Sequence, residues 1–168
     1  MPLRLALLLL FTGLVAGCVS SGHDSPLRTD KGRDEARVAY VQLGLGYLRQ
    51  GMSEQAKVPL KKALELDADD ADANAALALV FQAQAEPELA DRYFHKALAS
   101  RPADPRLLNN YGSFLFEQKR YDLASRYFQQ AATDTLYPQR SRVFENLGVT
   151  SMRLGQRDSA RQQLEKAL

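Results

Sequence analysis

Few residues in this chain are equipped for covalent or metal chemistry: a single cysteine, Cys18, two histidines, His23 and His95, and aspartates at 67, 69, 70 and 72. The thiol of Cys18 is the only good soft nucleophile near the N-terminus. With no second cysteine it forms no internal disulfide, so no disulfide framework holds this fold. The histidines lie 72 positions apart, which rules out the i, i+4 pair of a helical zinc hydrolase site. The run "DADDAD" (67–72) offers carboxylates for calcium but lacks the glycine and distal glutamate of an EF-hand loop. It reads instead as a solvated junction that caps the next helix. His95 follows an apolar phenylalanine and is expected to face solvent. No glycine-rich phosphate loop follows a strand. The chain therefore reads as a non-enzyme without metal or diffusible cofactor and without a small-molecule substrate. A formal charge of +2 is too weak to make nucleic acid the partner.

The elements around these residues explain them. Residues 1–17 carry one charge, Arg4, followed by the apolar run Leu5–Leu10 and then Phe11, Leu14, Val15 and Ala16. A short positive start, an apolar stretch too short to span a bilayer, and small residues make a secretory signal. The segment Leu14-Val15-Ala16-Gly17-Cys18 resembles the lipobox of bacterial lipoproteins. That resemblance implies a diacylated Cys18 thiol, cleavage before it and acylation of the new amino group. Each buried CH₂ contributes about 0.8 kcal/mol, so one chain anchors marginally and two or three hold firmly. Val19 rather than aspartate after the cysteine implies, by the same resemblance, delivery to the periplasmic face of the outer membrane. Residues 18–33 are polar and rich in serine and glycine, and read as a flexible tether of roughly 20 Å mean reach. The folded part is expected from 34 to 168.

Within that part a period is visible. Gly44, Ala78, Gly112 and Gly148 are separated by 34, 34 and 36 residues; Ala56, Ala90, Ala124 and Ala160 follow, then Ala63, Ala97, Ala131 and Ala167. Small residues at these spacings let two antiparallel helices cross closely. Tyr47, Phe81, Leu115, Leu60, Phe94, Phe128 and Leu164 supply the larger filling. The pattern resembles the tetratricopeptide repeat (TPR), which implies an all-α superhelix, an α-solenoid of antiparallel helix pairs. Four units are expected, at 37–70, 71–104, 105–140 and 141–168, the last incomplete. Ser53 is the expected N-cap of the first second-helix, and Pro59 inside that helix is expected to bend it. The chain stops inside the fourth unit with Leu164 and Leu168 facing nothing beyond. This implies a longer array or a partner at that end, with the longer array expected.

By the TPR resemblance, the concave groove is lined by Val38, Val41, Leu45, Leu48 and Arg49 in the first unit. In the third unit it is lined by Arg106, Asn109, Ser113, Phe116 and Glu117, and in the fourth by Arg142, Glu145, Val149, Met152 and Arg153. Val41 and Leu45 stand where a clamp for acidic C-terminal peptides needs lysine and asparagine, so an apolar polypeptide segment is the expected ligand. Coverage of the same residues by the N-terminal segment or a neighbouring helix is the alternative.

The stretches "TDKGRDEARVAYVQLGLGYL" (29–48), "LNNYGSFLFEQKRYDLA" (108–124) and "DTLYPQRSRVFENLG" (134–148) resemble the PilF/PilW family of outer-membrane TPR lipoproteins of type IV pilus biogenesis. The resemblance implies a pilotin: Cys18 gives the address, the tether the reach, and the groove the grip on secretin subunits. Two other readings stand beside it. One is a TPR lipoprotein scaffold for another envelope machine, such as a tight-adherence pilus or a cell-wall enzyme complex. The other is the non-catalytic part of an envelope peptidase.

Overall fold

The computed structural model describes Leu27 and residues 29–168. The signal, Cys18 and most of the tether lie outside the described residues. The chain divides into two units at Arg33/Asp34. Among the described residues there are eight α-helices and no strand. They are α1 (Asp30–Arg49), α2 (Ser53–Leu66), α3 (Ala71–Ala83), α4 (Pro87–Ser100), α5 (Pro105–Glu117), α6 (Tyr121–Ala132), α7 (Arg140–Arg153) and α8 (Arg157–Glu165). Helix α1 begins four residues before the expected start of the folded part. The Thr29 hydroxyl accepts the amide of Gly32 at 3.0 Å and satisfies one of the orphan donors of the first turn.

The helices pair as α1/α2, α3/α4, α5/α6 and α7/α8. A Cβ added at Gly44, Gly112 or Gly148 would lie 2.5–2.7 Å from the side chains of Leu60, Phe128 and Leu164 respectively. The small residues thus let a large one from the second helix lie against the backbone of the first. Ala56, Ala63, Ala78, Ala90, Ala97, Ala124, Ala131 and Ala160 are all buried at the remaining crossings. Between pairs the core is aromatic. Phe94 lies 5.4 Å from both Tyr111 and Phe114, and within the third pair Tyr127 meets Tyr111 edge-on at 4.7 Å. His95 is exposed as expected but not idle. The Tyr111 hydroxyl donates to Asp91 Oδ1 at 2.8 Å and lies 3.0 Å from His95 Nε2. Burial, then the bond to Asp91, pushes the Tyr111 phenol above its usual range.

The junctions are built differently from one another. Asp70 caps α3 by accepting the Ala73 amide at 2.6 Å, and Asp104 caps α5 by accepting those of Arg106 and Leu107. Pro87 and Pro105 stand in the first turns of α4 and α5, where a missing N–H costs nothing. The junction before α7 has no side-chain cap. Its two extra residues form an Asx turn, with the Leu136 amide on Asp134 at 2.8 Å, and Arg140 Nε donates to the Ala132 carbonyl at 2.8 Å. Ser53 is the first residue of α2 rather than its cap, a place held by Met52 with no side-chain bond. Helix α2 runs without interruption through buried Pro59.

The turn between the paired helices needs one left-handed residue. Gly51 and Gly155 fill it at φ 73° and 74°, but Ala85 and Lys119 fill the equivalent places at 57° and 59°. A residue with a Cβ is strained there, at a cost of about 1 kcal/mol.

Candidate functional site

The residues expected to line the concave groove have unequal fates. In the first unit Val41 is 3% exposed, packed against Ala63 of α2 and Ala73 of α3. Leu45 and Leu48 are half-buried against the core, and only Val38, 49% exposed, and Arg49 are open. The exposed aliphatic strip expected there is thus largely core. A cavity of about 350 Å³ remains, lined by Val38, Val41, Leu45, Gln42 and the charged Arg37, Asp70, Asp72 and Arg106. Its charges are matched: Arg37 bonds Asp70, and Asp72 is held by Arg106 and by Arg101, the latter at 2.6 Å. Partial burial pushes the Asp72 carboxyl up, but the two guanidiniums outweigh it and hold the group below its usual value.

In the third and fourth units Arg106 is tied to Asp72 and Asp104 rather than free. Asn109 is buried, its Oδ1 accepting from Asn146 Nδ2 at 2.9 Å. Phe116 is half-buried beside the Tyr121 ring, and Arg142 and Glu145 are exposed. A cavity of about 270 Å³ opens between α5 and α7, lined by Ser113, Phe116, Glu117, Phe128, Asn146 and Val149.

A more apolar cleft of the first pair lies elsewhere. Tyr40, Leu43 and Tyr47 of α1 and Gln55, Val58, Pro59 and Lys62 of α2 enclose about 310 Å³. Leu43 is 49% and Val58 61% exposed. The Lys62 ammonium sits 5.6 Å over the Tyr40 ring, fixing one lip of the cleft. A further apolar hollow of about 650 Å³, with Met152, Ala160, Leu164 and Leu168 in its lining, lies on α7 and α8 and the residues after them.

Comparison with known proteins fits this geometry. The tetratricopeptide repeat family matches residues 38–70, 105–133 and 141–168. Over all of its residues the chain is 58% identical to the type IV pilus assembly protein PilF of Pseudomonas aeruginosa, covering 67% of that protein. The chain belongs to the PilF family. A solved structure of Pseudomonas aeruginosa PilF superposes with a TM-score of 0.80 at 60% identity, covering 82% of this chain and 62% of that one. PilW, described as a widely conserved type IV pilus biogenesis factor, superposes at 0.75 with 28% identity, covering 79% of this chain and 60% of that one. The chain thus spans less than two thirds of these solved relatives.

For this PilF-family chain the cleft on α1 and α2 is a candidate surface that the repeat pattern does not point to. Its signal was present. Tyr40, Leu43 and Tyr47 recur at i, i+3 and i+7, a second apolar stripe on a helix whose first stripe already reached the core. The repeat at 71–104, which the family match leaves out, is a helix pair like the others, α3 and α4.

Proposed function

We propose that this chain acts in type IV pilus biogenesis as a lipid-anchored outer-membrane pilotin. It would hold secretin subunits through the apolar cleft of its first helix pair and carry them to the membrane by the lipid on Cys18. The observation that carries the reading is the open cleft of Tyr40, Leu43, Tyr47 and Val58 in a chain so similar to a pilus assembly protein. An exposed apolar hollow with a fixed cationic lip suits a partner's apolar segment. Burying one side chain there contributes roughly 1.5–3 kcal/mol. Nothing in this mechanism asks for catalysis. The array supplies grip, the tether reach, and the acyl chains a stable address.

The test uses the full chain in cells. Val58→Glu should reduce co-purification of the secretin subunit by at least about tenfold with helicity unchanged, since Val58 is exposed. Cys18→Ala should leave secretin binding intact and remove the protein from the outer-membrane fraction. Undiminished secretin recovery with Val58→Glu would sink the grip, and unchanged fractionation of Cys18→Ala would sink the anchor.

A further inference from the structure

The cleft of the first pair is framed by residues of two kinds. Leu43 and Val58 stand 49% and 61% exposed at its edges. Tyr40 and Tyr47 line it half-buried against the core. A tyrosine joins an apolar ring to a polar hydroxyl, so it suits a boundary where one side is greasy and the other wet.

The charge around the cleft has one sign. No carboxylate lines it, and its one charged lining residue is Lys62. Lys61 stands next to it on α2 and is exposed. No ion pair to either lysine occurs among the described residues, and Glu65, one turn further along α2, makes none with them. The cavity beside Arg37 is the opposite case, since its carboxylates each have a guanidinium. Exposed aliphatic tips, amphipathic tyrosines and lysines free of carboxylates together fit the headgroup layer of an anionic bilayer.

We propose that the α1/α2 cleft, when no polypeptide fills it, docks on the surface of the bilayer that holds the lipid anchor. Leu43 and Val58 enter the headgroup layer, and Lys61 and Lys62 meet lipid phosphates. This rests on the pilotin reading and names what regulates its site: bilayer and cargo compete for one surface, so cargo carried in the cleft is displaced at the membrane. The docking needs little affinity of its own. The tether expected at residues 18–33 has a mean reach of roughly 20 Å, and such a short flexible link gives a local concentration of about millimolar order.

The chain contains no tryptophan, so a single introduced one reports alone. Leu43→Trp and Val58→Trp sit at exposed cleft positions, and Leu136→Trp, in the connector before α7, is the exposed control. Each is placed as the full lipid-anchored chain in vesicles of equimolar phosphatidylethanolamine and phosphatidylglycerol with brominated acyl chains. Bromine should quench both cleft variants and leave Leu136→Trp bright. Adding Lys61→Gln should raise the undocked-to-docked ratio about fivefold, the size of one lysine at an anionic surface. Secretin subunit that binds the chain should restore the emission. Equal quenching of all three variants, a ratio that Lys61→Gln leaves unchanged, or quenching that bound secretin subunit does not relieve would overturn the proposal. Bright cleft variants alongside normal secretin recovery would sink it and leave the pilotin reading standing. Quenched cleft variants with no secretin recovered by the native chain would sink the pilotin reading and leave the docking in place.

Discussion

The first and third helix pairs are built to one plan and differ in what covers them. In both, a glycine of the first helix admits a large side chain of the second: Gly44 with Leu60, and Gly112 with Phe128. In the third pair Tyr111 and Phe114 meet Phe94 of the preceding pair, and Tyr111 also meets Tyr127. In the first pair Tyr40, Leu43, Tyr47 and Val58 line an open cleft instead. The difference teaches that the repeat pattern specifies how a pair closes on itself, while the neighbour decides which apolar face becomes core and which stays available to a partner.

The widest separation between the two pairs should appear on truncating one apolar side chain in each. Phe128, 1% exposed, is enclosed by Gly112 and the third-pair core. Phe128→Ala should cost about 3–5 kcal/mol, read as a lower midpoint in urea unfolding. Val58→Ala should cost less than about 0.5 kcal/mol, as for surface positions generally. Equal losses would mean that the α1/α2 cleft is a packed core and not a docking surface.

Much of this contrast can be read from the sequence, and the part that cannot has a physical cause. The crossings were legible because close approach of two helices depends on residue size alone, and size recurs at 34 residues. Which stripe of α1 is covered was not legible. Val41 and Leu43 are equally apolar, and only the presence of Ala63 and Ala73 beside Val41 buries it. The same limit applies to Asn109, whose exposure would have suited ligand contact but which is buried in a bond with Asn146. The left-handed turn positions were legible at Gly51 but silent at Ala85 and Lys119. There the packing of the pair imposes a backbone angle that the residue type does not advertise.

That turn gives a smaller, reciprocal test. Lys119 in the third pair occupies the place that Gly51 holds in the first. Lys119→Gly should raise stability by up to about 1 kcal/mol, because strain is removed from the folded state, less the entropy that glycine adds to the unfolded one. Gly51→Lys should lower it by about 1–2 kcal/mol. Nothing lies within 4 Å of a Cβ at Gly51, so the cost would come from the backbone alone. A Lys119→Gly chain that melts lower than the native one would show that the lysine side chain holds the turn.

The least of the expected effects concerns charge at the second position of the helix pairs, where the first unit has Val38 and the second has Asp72. The guanidiniums of Arg106 and Arg101 keep the Asp72 carboxyl below its ordinary value of 3.8. A carboxyl lowered on folding contributes stability that is fully present above its unfolded value and is lost as pH falls through its folded value. The native chain should therefore exceed Asp72→Asn in stability by a constant amount above about pH 5, with the gap closing as pH drops below 3.8. All three side chains are about two-fifths exposed, so solvent screening limits the gap to roughly 0–1 kcal/mol, and added salt should shrink it. Val38→Asp places the same charge on the first pair, where its fate depends on whether Arg37, already bonded to Asp70, turns toward it. A stability gain from Val38→Asp as large as the loss from Asp72→Asn would mean that the two pairs differ in sequence only. No gain would mean that Arg37 is committed to the junction, and that the first pair is left open by its neighbours as well as by its residues.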